Sequence, residues 1–174
     1  MGRILSTTLL AATLLLFGVG TSSAQESLPR TATHGTGLGV GVQGMLLPLG
    51  PSGLSIAYDG GPWHAEGILG VTKQVNTKAL VDLGGNFWFH LHKTANADFS
   101  LGGGLGIATG GGTAFFIQAG GQIRAFITSN VALSATLGLA FSVIDREQIG
   151  VGGQSVADTS VGGFGGVGIH YYFY

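Results

Sequence analysis

The chain has 174 residues and a formal net charge of −1; 34 residues are Gly, 9% are charged, 45% are hydrophobic and none is Cys. High apolar content with so little charge excludes a disordered chain, and near-neutrality removes the electrostatic footprint of a nucleic-acid binder. Four Pro are too few for a collagen repeat, and without Cys there is no disulfide framework, thiolate metal site or thiol nucleophile.

Residues 1–24 read as a secretory signal. Arg3 supplies the positive start, Leu9 to Phe17 a short apolar run, and Ser22-Ser23-Ala24 the small residues of a cleavage site. The apolar run is shorter than the ~20 residues of a spanning helix. Residues 25–174 then form one domain, with Gln25 to Thr33 as a lead-in.

Beyond the lead-in the chain alternates with period two. Leu38, Val40 and Val42 alternate with Gly and Gln43, and Leu54, Ile56 and Tyr58 with Ser55 and Ala57. Trp63 to Val71 keeps the pattern, with Glu66 on the opposite face. Val81, Leu83, Phe87, Phe89 and Leu91 oppose Asp82, Asn86, Trp88, His90 and His92. Phe99, Leu101, Leu105 and Ile107 oppose Asp98, Ser100 and glycines. Phe115, Ile117 and Ile123 oppose Phe116, Gln118, Gln122 and Arg124. Val131 to Val143 is the clearest case, with Val, Leu, Ala and Phe at odd positions and Ala, Ser, Thr and Gly at even ones. Val161 to Tyr174 closes the chain. Such alternation denotes strands with one apolar face, so eight strands are predicted. Gly, Pro, Asn and Asp punctuate the connections. With no helical pattern between them, neighbouring strands should be antiparallel hairpins. Ile144 to Ser160 is the one long connection.

Alternation alone does not distinguish a soluble barrel from a membrane one. Three features favour the membrane. A soluble surface carries far more charge than this. The strands reach the ~9–11 residues a tilted strand needs to cross a bilayer. The glycines lie on the polar face, where an eight-stranded lumen is narrow. The predicted fold is therefore an all-β, up-and-down antiparallel eight-stranded transmembrane β-barrel.

The chain ends Ile169-His170-Tyr171-Tyr172-Phe173-Tyr174, an aromatic terminus with Tyr two residues before it. With the signal segment and the eight strands, this ending resembles the small OmpA/OmpX-type barrels of bacterial outer membranes, over the whole of residues 25–174. His170 departs from the pattern, which usually has an apolar residue there. The resemblance implies an outer-membrane location in a Gram-negative envelope, contact with lipid and lipopolysaccharide, and an assembly signal at Tyr172 and Tyr174 read by the barrel assembly machinery. It also implies both termini in the periplasm. Then Tyr58, Trp63, Phe89, Phe99, Tyr172 and Tyr174 form the periplasmic aromatic girdle, and Phe115 and Phe141 the outer one.

The polar face carries the candidate chemistry. Hairpin registers align His92, Asp98, Arg124 and Ser134 as one lateral row, a plug of charge-assisted hydrogen bonds. Glu66 and Asp82 lie on adjacent strands, as lumen lining or as a carboxylate pair. His90-x-His92, with His64 nearby, reads as polar lining, since zinc needs three or four ligands in fixed geometry. No His-x-Ser pair suggests a hydrolase, and no Gly-rich run opens a helix to hold phosphate. The expectation is a non-catalytic, structural or surface-binding barrel without cofactor or metal, acting through Ile144–Ser160. The alternatives are a narrow porin-like pore for small polar solutes, a soluble lipocalin-like binding barrel, and a lipid A-modifying enzyme.

Overall fold

The computed structural model describes residues 35–47, 50–73, 79–110, 112–147 and 155–173. The signal segment, the lead-in to Thr33 and Tyr174 lie outside them. Eight strands run in chain order: β1 (Gly37–Met45), β2 (Gly53–Asp59), β3 (Trp63–Thr72), β4 (Leu80–Lys93), β5 (Ala97–Thr109), β6 (Thr113–Phe126), β7 (Val131–Glu147) and β8 (Ser155–Phe173). Each pairs antiparallel with the next, and β8 pairs with β1 to close an up-and-down barrel.

Closure comes with a stagger. The lateral row starting at Ala97 passes Ala125, Leu133, Ile169, Val42, Leu54, Leu69 and Leu83, and re-enters β5 at Ile107, ten residues along. Strands of such a barrel tilt by about 35–45°. A lumenal side chain therefore meets residues from across the barrel as well as its register partner.

The faces are inside out relative to a soluble core. Leu54, Ile56, Leu69, Leu105, Ile117 and Leu137 point outward and are exposed. Gln43, Ser55, Glu66, Asn86, Gln118, Gln122 and Arg124 point inward and are buried. The alternation predicted this division, but the lumen is less uniformly polar than it suggested. Trp88, Phe116 and Phe164 are also buried inside.

These rings fit because glycines face them. In direct cross-strand pairs, Gly39 opposes Tyr172, Gly41 opposes His170, Gly106 opposes Phe116 and Gly138 opposes Phe164. A Cβ at Gly39 would come within 2.9 Å of the Tyr172 ring, and one at Gly106 would clash with that of Phe116. At these four positions glycine is a steric requirement of ring packing in a narrow interior.

The β2–β3, β4–β5 and β6–β7 turns share one end of the barrel with the start of β1 and the end of β8. At the other end, the N–H groups of Leu46 and Leu47 donate to the Gly165 carbonyl (2.8 and 3.2 Å). Pro51 is buried against Gly84, and Gly50 lies beside Gln118. A cavity there, among Gln43, Pro51, Gln118, Thr136 and Phe164, is about 10 Å³, room for no more than about one water.

Three expectations change. First, most of Ile144–Ser160 is strand: β7 and β8 pair out to Glu147↔Ser155, leaving only residues 148–154 outside the described structure. A hairpin ladder satisfies the backbone groups that an irregular loop would leave to solvent. Second, β4 carries a bulge between His90 and His92. His90 pairs with Ser100, but His92 pairs with Phe99 and Lys93 with Asp98. One extra residue re-aims everything beyond it, so the expected His92–Asp98 pairing does not form and His92 is exposed. Third, His170 and Tyr172 face the lumen, while Ile169, Tyr171 and Phe173 face outward. Tyr172 is therefore not part of an aromatic girdle. Tyr58, Phe89, Phe99, Phe115 and Phe141 are exposed as expected.

Adding side chains at glycines separates the two faces. Gly106→Leu should cost about 1–3 kcal/mol by overpacking. Gly67→Val, where a Cβ meets nothing within 4 Å on the outer face, should change stability by less than about 0.5 kcal/mol. Urea midpoints of the refolded barrel measure both, and equal effects would contradict the assignment of faces.

Candidate functional site

The chemistry of the described residues concentrates in the lumen, in the half nearer the chain termini. Its centre is Arg124, fully buried. The Arg124 Nε donates to both Asp98 oxygens (3.1 and 3.0 Å), and Nη2 donates to Asp98 Oδ2 (2.7 Å) and to Asp59 Oδ2 (2.5 Å). Nη1 donates to the Tyr172 hydroxyl (2.8 Å). Nη2 also lies 3.2 Å from His90 Nε2. The rings of Phe126 and Tyr172 flank the guanidinium, 5.4 and 5.9 Å from its carbon. Planar forked donors suit bidentate carboxylate binding, and two carboxylates from opposite sides fix the fork.

Of the expected row, Asp98, Arg124 and Ser134 are register neighbours. Ser134 is buried, but the hydrogen bonds of Arg124 go to Asp98, Asp59, Tyr172 and His90. His90 occupies the lumenal place expected for His92. Asp59, the last residue of β2, is also part of the cluster. Extending the Ser55, Ala57 alternation by one step puts Asp59 on the lumenal face.

A second cluster centres on Glu66. Gln122 Nε2 donates to Glu66 Oε1 (3.2 Å) and Asn86 Nδ2 to Oε2 (3.3 Å), while Gln118 Nε2 donates to Asn86 Oδ1 (2.6 Å). His64 Nε2 lies 3.5 Å from Glu66 Oε1. Asp82 is not part of it. Glu66 pairs with Asn86, whereas Asp82 pairs with Gly70 four residues further along β3. Adjacent strands alone did not bring the two carboxylates together, so no carboxylate dyad forms.

Between the clusters, His64 and His90 stack with ring centroids 4.9 Å apart. Their facing nitrogens, Nδ1 of His64 and Nε2 of His90, are 3.3 Å apart. Two Ser–His contacts also occur: Ser55 Oγ is 2.5 Å from His170 Nε2, and Ser100 Oγ is 2.9 Å from His90 Nδ1. Ser55, Ser100 and His170 are all buried in the lumen, and Ser55 also lines an apolar cavity of about 420 Å³ with Leu54, Ile56, Ile68 and Leu69.

Comparison of the chain with family models, with curated proteins and with solved structures finds no match. The arrangement of residues must carry the functional argument alone.

Arg124→Met leaves two buried carboxylates without their cation. We expect a loss of about 3–5 kcal/mol, the cost of breaking a buried pair. Lys93→Ala removes a partner 3.9 Å from Asp59 whose side chain is 35% exposed, and should cost under about 1 kcal/mol. Urea unfolding followed by tryptophan fluorescence compares the two; a wild-type midpoint for Arg124→Met would show that the network does not hold the barrel.

Proposed function

We propose that this protein is an outer-membrane barrel of the small OmpA/OmpX type, exported by its signal segment, non-catalytic, with a structural and surface-binding role. The observation that carries the reading is the inverted distribution of side chains. An apolar exterior and a hydrogen-bonded polar interior suit lipid outside and a self-filled lumen inside. A lipocalin-like barrel would need the opposite, with its apolar side chains lining a ligand cavity.

A polar pore is less well supported. Arg124 and its partners occupy the lumen nearer the termini, and Pro51 with the small residual cavity occupies the other end.

Surface binding rests on the β7–β8 hairpin. Pairing of β8 with β1 ends at Met45↔Gly166, while its pairing with β7 continues to Ser155. Over Ser155–Gly162 the edge of β8 away from β7 has no strand partner among the described residues. It carries Thr159 and Val161 with Asp158 as its one charge, and no Pro or Lys. Such an edge can accept an added strand through main-chain hydrogen bonds. In this reading the hairpin projects outward and the C-terminal strand, with Tyr172 and Tyr174, is engaged during assembly.

The expected outcome is sedimentation with outer membranes and a heat-dependent shift in gel mobility. Planar bilayers containing the purified barrel should show no conductance steps. Recovery in the soluble periplasmic extract would overturn the membrane reading, and regular steps would replace the closed barrel with a pore.

A further inference from the structure

We propose that Asp59, His64 and His90 form a binding site for a divalent transition-metal ion of the zinc class, with Arg124 as the ion's internal competitor. The three residues come from β2, β3 and β4, and their candidate ligand atoms all lie within 4.8 Å of one another. His64 Nδ1 is 3.3 Å from His90 Nε2, which is 3.4 Å from Asp59 Oδ2. Ligands held tetrahedrally at about 2.0–2.1 Å from zinc lie about 3.3–3.4 Å apart. Two of the three edges match, and the third lies within 4.8 Å.

The second observation concerns the outward nitrogens of the two imidazoles. His64 Nε2 is buried without a hydrogen-bond partner and faces Glu66 Oε1 at 3.5 Å. His90 Nδ1 faces Ser100 Oγ at 2.9 Å and Asp98 Oδ1 at 3.6 Å. Metal-bound histidines turn their other nitrogen to a carboxylate, carbonyl or water, which fixes the tautomer. Here both outward nitrogens face a carboxylate, at 3.5 Å for His64 and 3.6 Å for His90. Glu66 only accepts, so it favours the His64 proton on Nε2, which leaves Nδ1 to face His90 Nε2 at 3.3 Å. His90 Nε2 itself lies between a donor, Arg124 Nη2 at 3.2 Å, and an acceptor, Asp59 Oδ2 at 3.4 Å. A bound cation would take the lone pairs of both facing nitrogens together with the Asp59 oxygen.

The buried charge points the same way. In this half of the lumen Asp59, Glu66 and Asp98 are buried carboxylates, and Arg124 is the buried guanidinium among them. Arg124 Nη2 bonds Asp59 and His90. With an ion bound, it would release these two while keeping Asp98 through Nε and Tyr172 through Nη1. Two imidazoles and one carboxylate suit zinc, cobalt or nickel better than calcium or magnesium.

The test uses the barrel refolded in detergent without metal and titrated with Co2+. We expect one Co2+ per chain, with the visible absorption of a tetrahedral site, displaced by Zn2+. His64→Gln and His90→Gln should each lose the band, and exposed His92→Gln should keep it. Glu66→Gln should bind about 10–100-fold more weakly. Arg124→Gln, where it folds, should bind more tightly than wild type. Each variant is first shown to be folded by its heat-dependent mobility. No band in wild type at millimolar Co2+ overturns the proposal, as does a band that persists in folded His64→Gln. A His64 that merely carries a second proton gives the first of these results.

Discussion

Eight tilted strands closed on themselves leave an interior only wide enough for the side chains that line it. Every other feature answers to that constraint. Lumenal positions on neighbouring strands cannot all be large, so rings at Phe116, Phe164, His170 and Tyr172 face Gly106, Gly138, Gly41 and Gly39. Nor can polar groups there rely on bulk water, so they bond to one another. Glycine abundance and the density of buried hydrogen bonds are two consequences of one geometry.

The electrostatics have the same origin. A guanidinium without water must be held by carboxylates, and Arg124 is held by Asp98 beside it and Asp59 from another strand. The Tyr172 hydroxyl completes the shell from β8. Four strands are thereby tied at one point by charge-assisted bonds. Asp59, Glu66 and Asp98 against one guanidinium leave this part of the interior electron-rich, and the imidazoles of His64, His90 and His170 lie in that field. The barrel is stapled and also predisposed to take up a cation where Asp59, His64 and His90 converge.

Part of this site is legible in the residues alone. Asp98, Arg124 and Ser134 come from hairpin registers set by short turns, because a two-stranded ladder propagates its register one residue at a time. His92 failed because a single extra residue in β4 exchanged its role with that of His90. Glu66 and Asp82 failed because adjacent strands do not imply shared height. Asp59 and Tyr172 were missed for another reason. Each lies at a strand end, where the alternation blends into a turn or terminus, and neither is near Arg124 in any hairpin.

The sequence by itself determined the strands, their order and, for all but the last, which face is apolar. These depend on period-two patterning and turn chemistry, and both are local. It also placed Arg124 opposite Asp98, a contact between adjacent strands. Only the tertiary structure decided which side chains meet across the lumen, where β4 slips by a residue, that His170 and Tyr172 point inward, and that β7 and β8 continue as a paired hairpin. Those outcomes depend on closure and its ten-residue stagger. Stagger sums over all eight strands, and no single segment encodes it.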